Sequence, residues 1–120
     1  MKVVVTSQGP DMTSQLDPRF GRAKFLILVD TENSEFNSHS NSQNLSAMQG
    51  AGIQAARNVV ELGAETLITG NVGPKAFATL QAAGVAIYIG STGSVKDAFE
   101  QFKAGQLERA GGANVEGHWA

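Results

Sequence analysis

The sequence predicts a single α/β domain: a mixed five-stranded sheet between two helical layers. Three observations carry that prediction. Short apolar strand signals alternate with helix-period segments over residues 51–105, which calls for parallel strands joined by right-handed crossovers. Residues 25–39 read instead as two strands separated by a turn, an antiparallel hairpin at the sheet edge. Finally, Gly63, Gly84 and Gly105 recur 21 residues apart, each where a helical pattern stops.

Each element has a local reason. Val3-Val4-Val5 is a buried-strand signal that ends in the polar turn Thr6-Ser7-Gln8-Gly9-Pro10. A polar loop runs to about Ala23. Phe25 to Asp30 is apolar at nearly every position, as in a strand covered on both faces. Thr31-Glu32-Asn33-Ser34 is a turn, and Glu35 to about His39 is a more polar third strand. The Ser- and Asn-rich stretch 38–49 reads as a loop. A helix follows from about Ala51 to Leu62, with Ile53, Ala56, Val59 and Val60 as its apolar stripe. Thr66-Leu67-Ile68-Thr69 is a strand, Pro74 opens a helix that buries Phe77 and Leu80, and Val85 to Ile89 is the last strand. Ser94 caps a final helix carrying Val95, Ala98, Phe99 and Phe102. Gly52, Gly73 and Ser94 share the 21-residue spacing at the helix starts. The domain is assigned to residues 1–107, and 108–120, which lacks periodicity, to a mobile or partly docked tail.

Composition narrows function. The chain has 120 residues and a formal charge of −2, too little positive charge for a nucleic-acid face. No apolar run approaches membrane-spanning length and no signal-peptide pattern opens the chain, which places it in the cytoplasm. It contains no cysteine, so thiolate-held zinc, protein-ligated iron–sulfur clusters and cysteine catalysis are excluded. Catalytic patterns are lacking too: there is no nucleophile elbow and no clustered carboxylates, and the first strand reads Val-Val-Val-Thr. The chain is read as a non-enzyme.

Ligands of open α/β sheets bind beyond the carboxyl ends of the parallel strands. Ser7-Gln8-Gly9, Thr69-Gly70-Asn71-Val72-Gly73 and Gly90-Ser91-Thr92-Gly93 would converge there. Backbone N–H groups at helix entries favour an anion in that space, and Arg19, Arg22 and Lys24 would add cationic charge. Against this stands the plainer reading that Asp17 pairs with an arginine to hold its loop. Gly50-Ala51-Gly52-Ile53-Gln54-Ala55 has dinucleotide-site spacing, but a Ser/Asn loop precedes it, not a buried strand. His39 and His118 are the two histidines and are the candidate metal ligands. Trp119 is a candidate docking residue for a partner.

Asp17-Pro18-Arg19-Phe20-Gly21-Arg22-Ala23, the Gly50-Ala51-Gly52-Ile53 helix entry and Gly70-Asn71-Val72-Gly73-Pro74-Lys75-Ala76-Phe77, in that order, resemble the dinitrogenase iron–molybdenum cofactor biosynthesis family. The resemblance runs from Met1 to about Leu107. It implies a ribonuclease-H-like three-layer α/β/α fold without nuclease activity. It also implies a carrier of molybdenum-containing sulfide clusters, of molybdenum–copper or iron–molybdenum type, with a cofactor-assembly or acceptor protein as a further partner. The chain looks most like the small, stand-alone, coloured members that hold a molybdenum–copper sulfide cluster. Such a cluster brings its own sulfides and is anionic, so it needs hydrogen-bond donors, cations and an apolar wall. Ser7, Gln8, Asn71, Gly73 and Thr92 are the expected hydrogen-bonding positions, Arg19, Arg22 and Lys24 the cations, and Phe20 the wall. The expected state is a monomer or weak dimer. The alternative is a regulatory or interaction module in metal-cofactor assembly that holds no cluster.

Overall fold

The computed structural model describes residues 1–41 and 51–114. Its sheet has six strands: β1 (Lys2–Ser7), β2 (Phe25–Asp30), β3 (Phe36–Ser40), β4 (Thr66–Ile68), β5 (Ala86–Ile89) and β6 (Glu108–Arg109). The order is β3-β2-β1-β4-β5-β6. β1, β4 and β5 are parallel, and β2, β3 and β6 are antiparallel to their neighbours. Among the described residues there are three α-helices: α1 (Ala51–Glu61), α2 (Pro74–Ala82) and α3 (Val95–Lys103).

The expected count of five strands is corrected to six. β6 is two charged residues long, with no apolar alternation to betray it; backbone pairing alone makes it a strand, Tyr88 lying opposite Arg109 and Ile89 opposite Glu108. The next residues continue the docking, since the Ala110 N–H donates to the Ile87 carbonyl at 2.8 Å. Residues 108–110 are thus tied to β5 by backbone hydrogen bonds.

Strand alternation divides the core in two. Val4, Leu26, Leu67 and Ile87 face α1 and α2, where they meet Ala55, Ala56, Val59, Ala76 and Leu80. Val3, Val5, Ile27, Val29 and Ile68 face α3, packing on Val95, Ala98 and Phe99. Each large side chain so enclosed contributes roughly 1.5–3 kcal/mol. The stripe of α1 differs from the expected one: Ala55, Ala56 and Val59 are buried while Val60 is 39% exposed. One residue of α-helix turns about 100°, enough to carry Val60 off the face that Val59 occupies.

All three recurring glycines adopt positive φ, at 76°, 79° and 71°, and finish their helices alike. The N–H groups of Ala64, Val85 and Gln106 donate to the carbonyls of Val59, Leu80 and Gln101, each five residues back, the wider bond of a Schellman motif. At the helix starts the repeat is less strict. Gly73 and Ser94 are N-caps, Ser94 in a reciprocal capping box with Asp97, whereas Gly52 lies inside α1.

Candidate functional site: the carboxyl edge of the sheet

Where β1, β4 and β5 end, a set of buried polar groups ties the loops together. Thr6, Ser7, Asp17, Thr69 and Ser91 are all buried there. The Thr6 hydroxyl donates to the Asp17 carbonyl at 2.7 Å and lies 2.8 Å from the Thr69 hydroxyl, from which it accepts, having one proton to give. The Asp17 N–H returns a bond to the Thr6 carbonyl at 3.0 Å. Ser91 Oγ donates to the Thr69 carbonyl at 3.2 Å. Three strand ends and the 17–23 loop are thereby locked to one another.

That loop is organised by Asp17, whose side chain is 3% exposed. Its Oδ1 accepts from the Arg19 N–H at 2.9 Å and lies 3.6 Å from Arg19 Nε. The distance to Nε exceeds a hydrogen bond, and 53% of the Arg19 side chain stays in solvent. Asp17 thus steadies the loop, as the plainer sequence reading expects, and leaves most of the guanidinium accessible. Arg19 also forms a parallel bridge with Asn71. The Asn71 N–H donates to Pro18 O at 2.8 Å, Asn71 Nδ2 donates to the same oxygen at 3.3 Å, and the Phe20 N–H donates to Asn71 O at 3.4 Å. Gly70 makes this junction possible: a Cβ there would lie 2.8 Å from the Cα and Cβ of Pro18.

The expected site residues therefore divide. Arg19, Asn71 and Gly73 are brought together by the meeting of the two loops, with Gly73 buried as the N-cap of α2. Phe20 opens a 3-10 turn (Phe20–Arg22) and is fully buried in the α1–α2 half of the core, so it props the arginine loop from beneath. Arg22 is half-buried in that turn. Lys24 is exposed and adjoins Phe25, which pairs with Ser7, so it stands at the same edge. The Ser7 hydroxyl is engaged locally, donating to Gly9 O at 2.6 Å, and Gln8 is exposed. Thr92 is exposed in the β5–α3 loop, and its carbonyl accepts from Gln101 Nε2 at 3.3 Å.

His39 sits on β3 opposite Leu26, on the α1 side of the sheet, and its Nε2 is buried with no hydrogen-bond partner among the described residues. Among the described residues no three histidine, aspartate or glutamate side chains group closely enough to hold a metal ion. His118 and Trp119 lie outside the described residues, as does most of the expected 38–49 loop. No helix among the described residues is long and apolar enough to cross a membrane. A shallow depression lined by Lys2, Asp30, Asn33 and Glu35 lies at the opposite end of the β2–β3 hairpin and carries charges of both signs.

Sequence reasoning missed one residue of this edge. Asn114 reaches back to the 70–72 loop, where its Oδ1 accepts from the Val72 N–H at 2.7 Å and its own N–H donates to Val72 O at 3.1 Å. Asn114 Nδ2 donates to Asn71 Oδ1 at 3.1 Å and to Gly70 O at 3.4 Å. A lone asparagine after two glycines gives no periodic signal; only the neighbouring β6 brings it here.

This fold is a small mixed α/β domain in which the arginine loop and the Gly70–Gly73 loop meet at the ends of the parallel strands. The sequence model of the family described as dinitrogenase iron–molybdenum cofactor matches residues 1–105, and the chain belongs to that family. It is similar to the apo form of the orange protein from Desulfovibrio gigas, with 39% identity, a TM-score of 0.92 and coverage of 95% of this chain and 96% of that one. A putative NifB protein from Thermotoga, of the DUF35 family, is 36% identical at a TM-score of 0.83, covering 97% and 98% of the two chains. An uncharacterized protein of Methanocaldococcus jannaschii is 29% identical over 102 residues, 83% of this chain and 86% of its own length. The likeness to the first two supports the mixed α/β architecture.

Proposed function

We propose that the protein is a non-catalytic cytoplasmic carrier that holds an anionic, molybdenum-containing metal–sulfur cluster without covalent attachment. The molybdenum–copper type is the favoured cargo, and the iron–molybdenum type its close alternative. The observation that carries this reading is the junction of the Asp17–Arg22 loop with the Gly70–Gly73 loop. There a half-exposed guanidinium lies 3.6 Å from a buried carboxylate that holds its backbone, beside a loop bridged to it at Asn71. Membership of the iron–molybdenum cofactor family and the likeness to the orange protein support it further.

The chemistry suits such cargo. A sulfide-bridged cluster arrives with its inner ligands complete, so a chain without cysteine needs only to neutralise its charge and donate hydrogen bonds. Arg19, Arg22 and Lys24 would supply the charge, with Gln8, Asn71 and Thr92 around them. Each charge-assisted hydrogen bond contributes roughly 1.5–3 kcal/mol, so a few of them reach micromolar affinity when partly desolvated.

The test is the visible spectrum and elemental content of the purified protein before and after addition of tetrathiomolybdate with copper or iron. Charge-transfer bands with stoichiometric molybdenum are expected. Arg22→Ala should weaken molybdenum retention far more than fold stability, and equal retention at matched stability would count against the arginine's role. A colourless, metal-free protein that reconstitutes nothing would overturn the reading in favour of an interaction module.

A further inference from the structure

The 70–72 loop is already occupied by the protein itself. Of its donors, the Asn71 N–H is committed to Pro18 O, a bond that belongs to the loop junction. The Val72 N–H is held differently: its acceptor is a side-chain oxygen on a terminal segment, Asn114 Oδ1 at 2.7 Å. A carboxamide oxygen on a backbone N–H stands where an oxygen or sulfur of an anionic ligand would sit. The three further bonds of Asn114 fall on Gly70, Asn71 and Val72, so one residue covers the loop to which Arg19 is bridged.

The segment carrying Asn114 is built to leave. Ala110 is anchored, packing against the α1–α2 half of the core and bonding to Ile87. Between that anchor and Asn114 stand Gly111 and Gly112. Neither has positive φ, and a Cβ on either would meet nothing within 4 Å. No steric demand explains two glycines here, and what they supply is backbone freedom. Asn114 is exposed, and among the described residues its hydrogen bonds are what hold it in place.

We propose that Asn114 is a competing occupant of the cargo loop, displaced when an anionic metal–sulfur cluster takes the Val72 N–H. The proposal rests on the carrier reading and adds a regulatory step to it: cluster binding and docking of residues 111–114 exclude each other. Loading frees the C-terminal segment, and unloading recaptures it. The chain thus reports its own occupancy through the position of that segment.

Two variants of the full chain separate this from a merely structural role, with tetrathiomolybdate as probe. Asn114→Ala removes the competitor and should bind roughly three- to tenfold more tightly, the worth of one released neutral hydrogen bond. Asn114→Asp keeps the acceptor, adds a negative charge beside the site, and should bind more weakly than wild type. If Asn114 only shaped the loop, both variants would weaken binding. In the wild-type protein, titration should move the Val72 amide and Asn114 side-chain amide resonances together, the latter toward its unbonded position. Equal or weaker binding by Asn114→Ala, with wild type binding normally, overturns the exclusion and leaves the carrier reading standing. Absence of binding by wild type and Asn114→Ala alike removes both.

Discussion

Replacing Gly70 with alanine tests whether the meeting of the two loops is the foundation of the site. Gly70 has no positive φ, so its backbone tolerates a side chain; the obstacle is Pro18, whose Cα and Cβ would lie 2.8 Å from the new methyl. Ordinary contact begins near 3.4 Å, so the loops must part by about 0.6 Å, an overpacking that costs about 1–3 kcal/mol. The Phe20–Asn71 bond, already at 3.4 Å, would not survive that separation, at a further cost of about 1 kcal/mol. With about 4 °C lost per kcal/mol in a chain of this size, the melting temperature should fall by about 8–16 °C. Gly63→Ala is the control. It sits at φ 76° with open space around it, so it should cost about 1–2 kcal/mol of backbone strain and leave cargo retention intact. Thermal melts and tetrathiomolybdate binding of both variants decide the matter. The reasoning is refuted if Gly70→Ala melts with wild type, or if it retains cargo as well as Gly63→Ala does.

Other outcomes follow from the same edge. Thr6→Val should destabilise by about 1–3 kcal/mol in a denaturant titration, because it strands the Asp17 carbonyl and the Thr69 hydroxyl in a buried site; Thr6→Ser should recover most of the loss. Asp17→Ala should release the Arg19 N–H and guanidinium together, read as faster amide exchange at Arg19 and weaker tetrathiomolybdate binding. Ser94→Ala should lower stability by about 1 kcal/mol through the α3 capping box, with cargo binding unchanged.

What was legible in the sequence follows from which forces leave a pattern. The bounds of β2 and the three helix stops were readable because a strand covered on both faces is apolar throughout and a left-handed residue demands glycine. The arginine loop and the Gly70–Gly73 turn stood out because charge and glycine mark them, and the structure brings the two together. The side-chain roles were harder. Phe20 reads as a wall for a ligand, yet it lies wholly in the core, since an aromatic beside two arginines carries no mark of which way the loop will turn. Val60 was misplaced by one residue of helical rotation. β6 left no trace because backbone hydrogen bonds made by two residues are indifferent to side-chain type, and Asn114 left none because its side-chain bonds fall on loop positions more than forty residues away.

The glycine caps have a consequence for how such a domain can change over time. At the amino ends of β4 and β5 the preceding helices stop by satisfying their own carbonyls, at Gly63 and Gly84, and that end needs nothing from outside. The opposite end is finished by loops held to one another through a few buried hydroxyls and one carboxylate. Substitutions of exposed residues in those loops, away from the hydrogen-bonded junction, leave the self-capped scaffold untouched. A lineage could therefore rewrite a handful of exposed positions at one rim, Gln8, Lys24 and Thr92 among them, while the helix stops stay as they are.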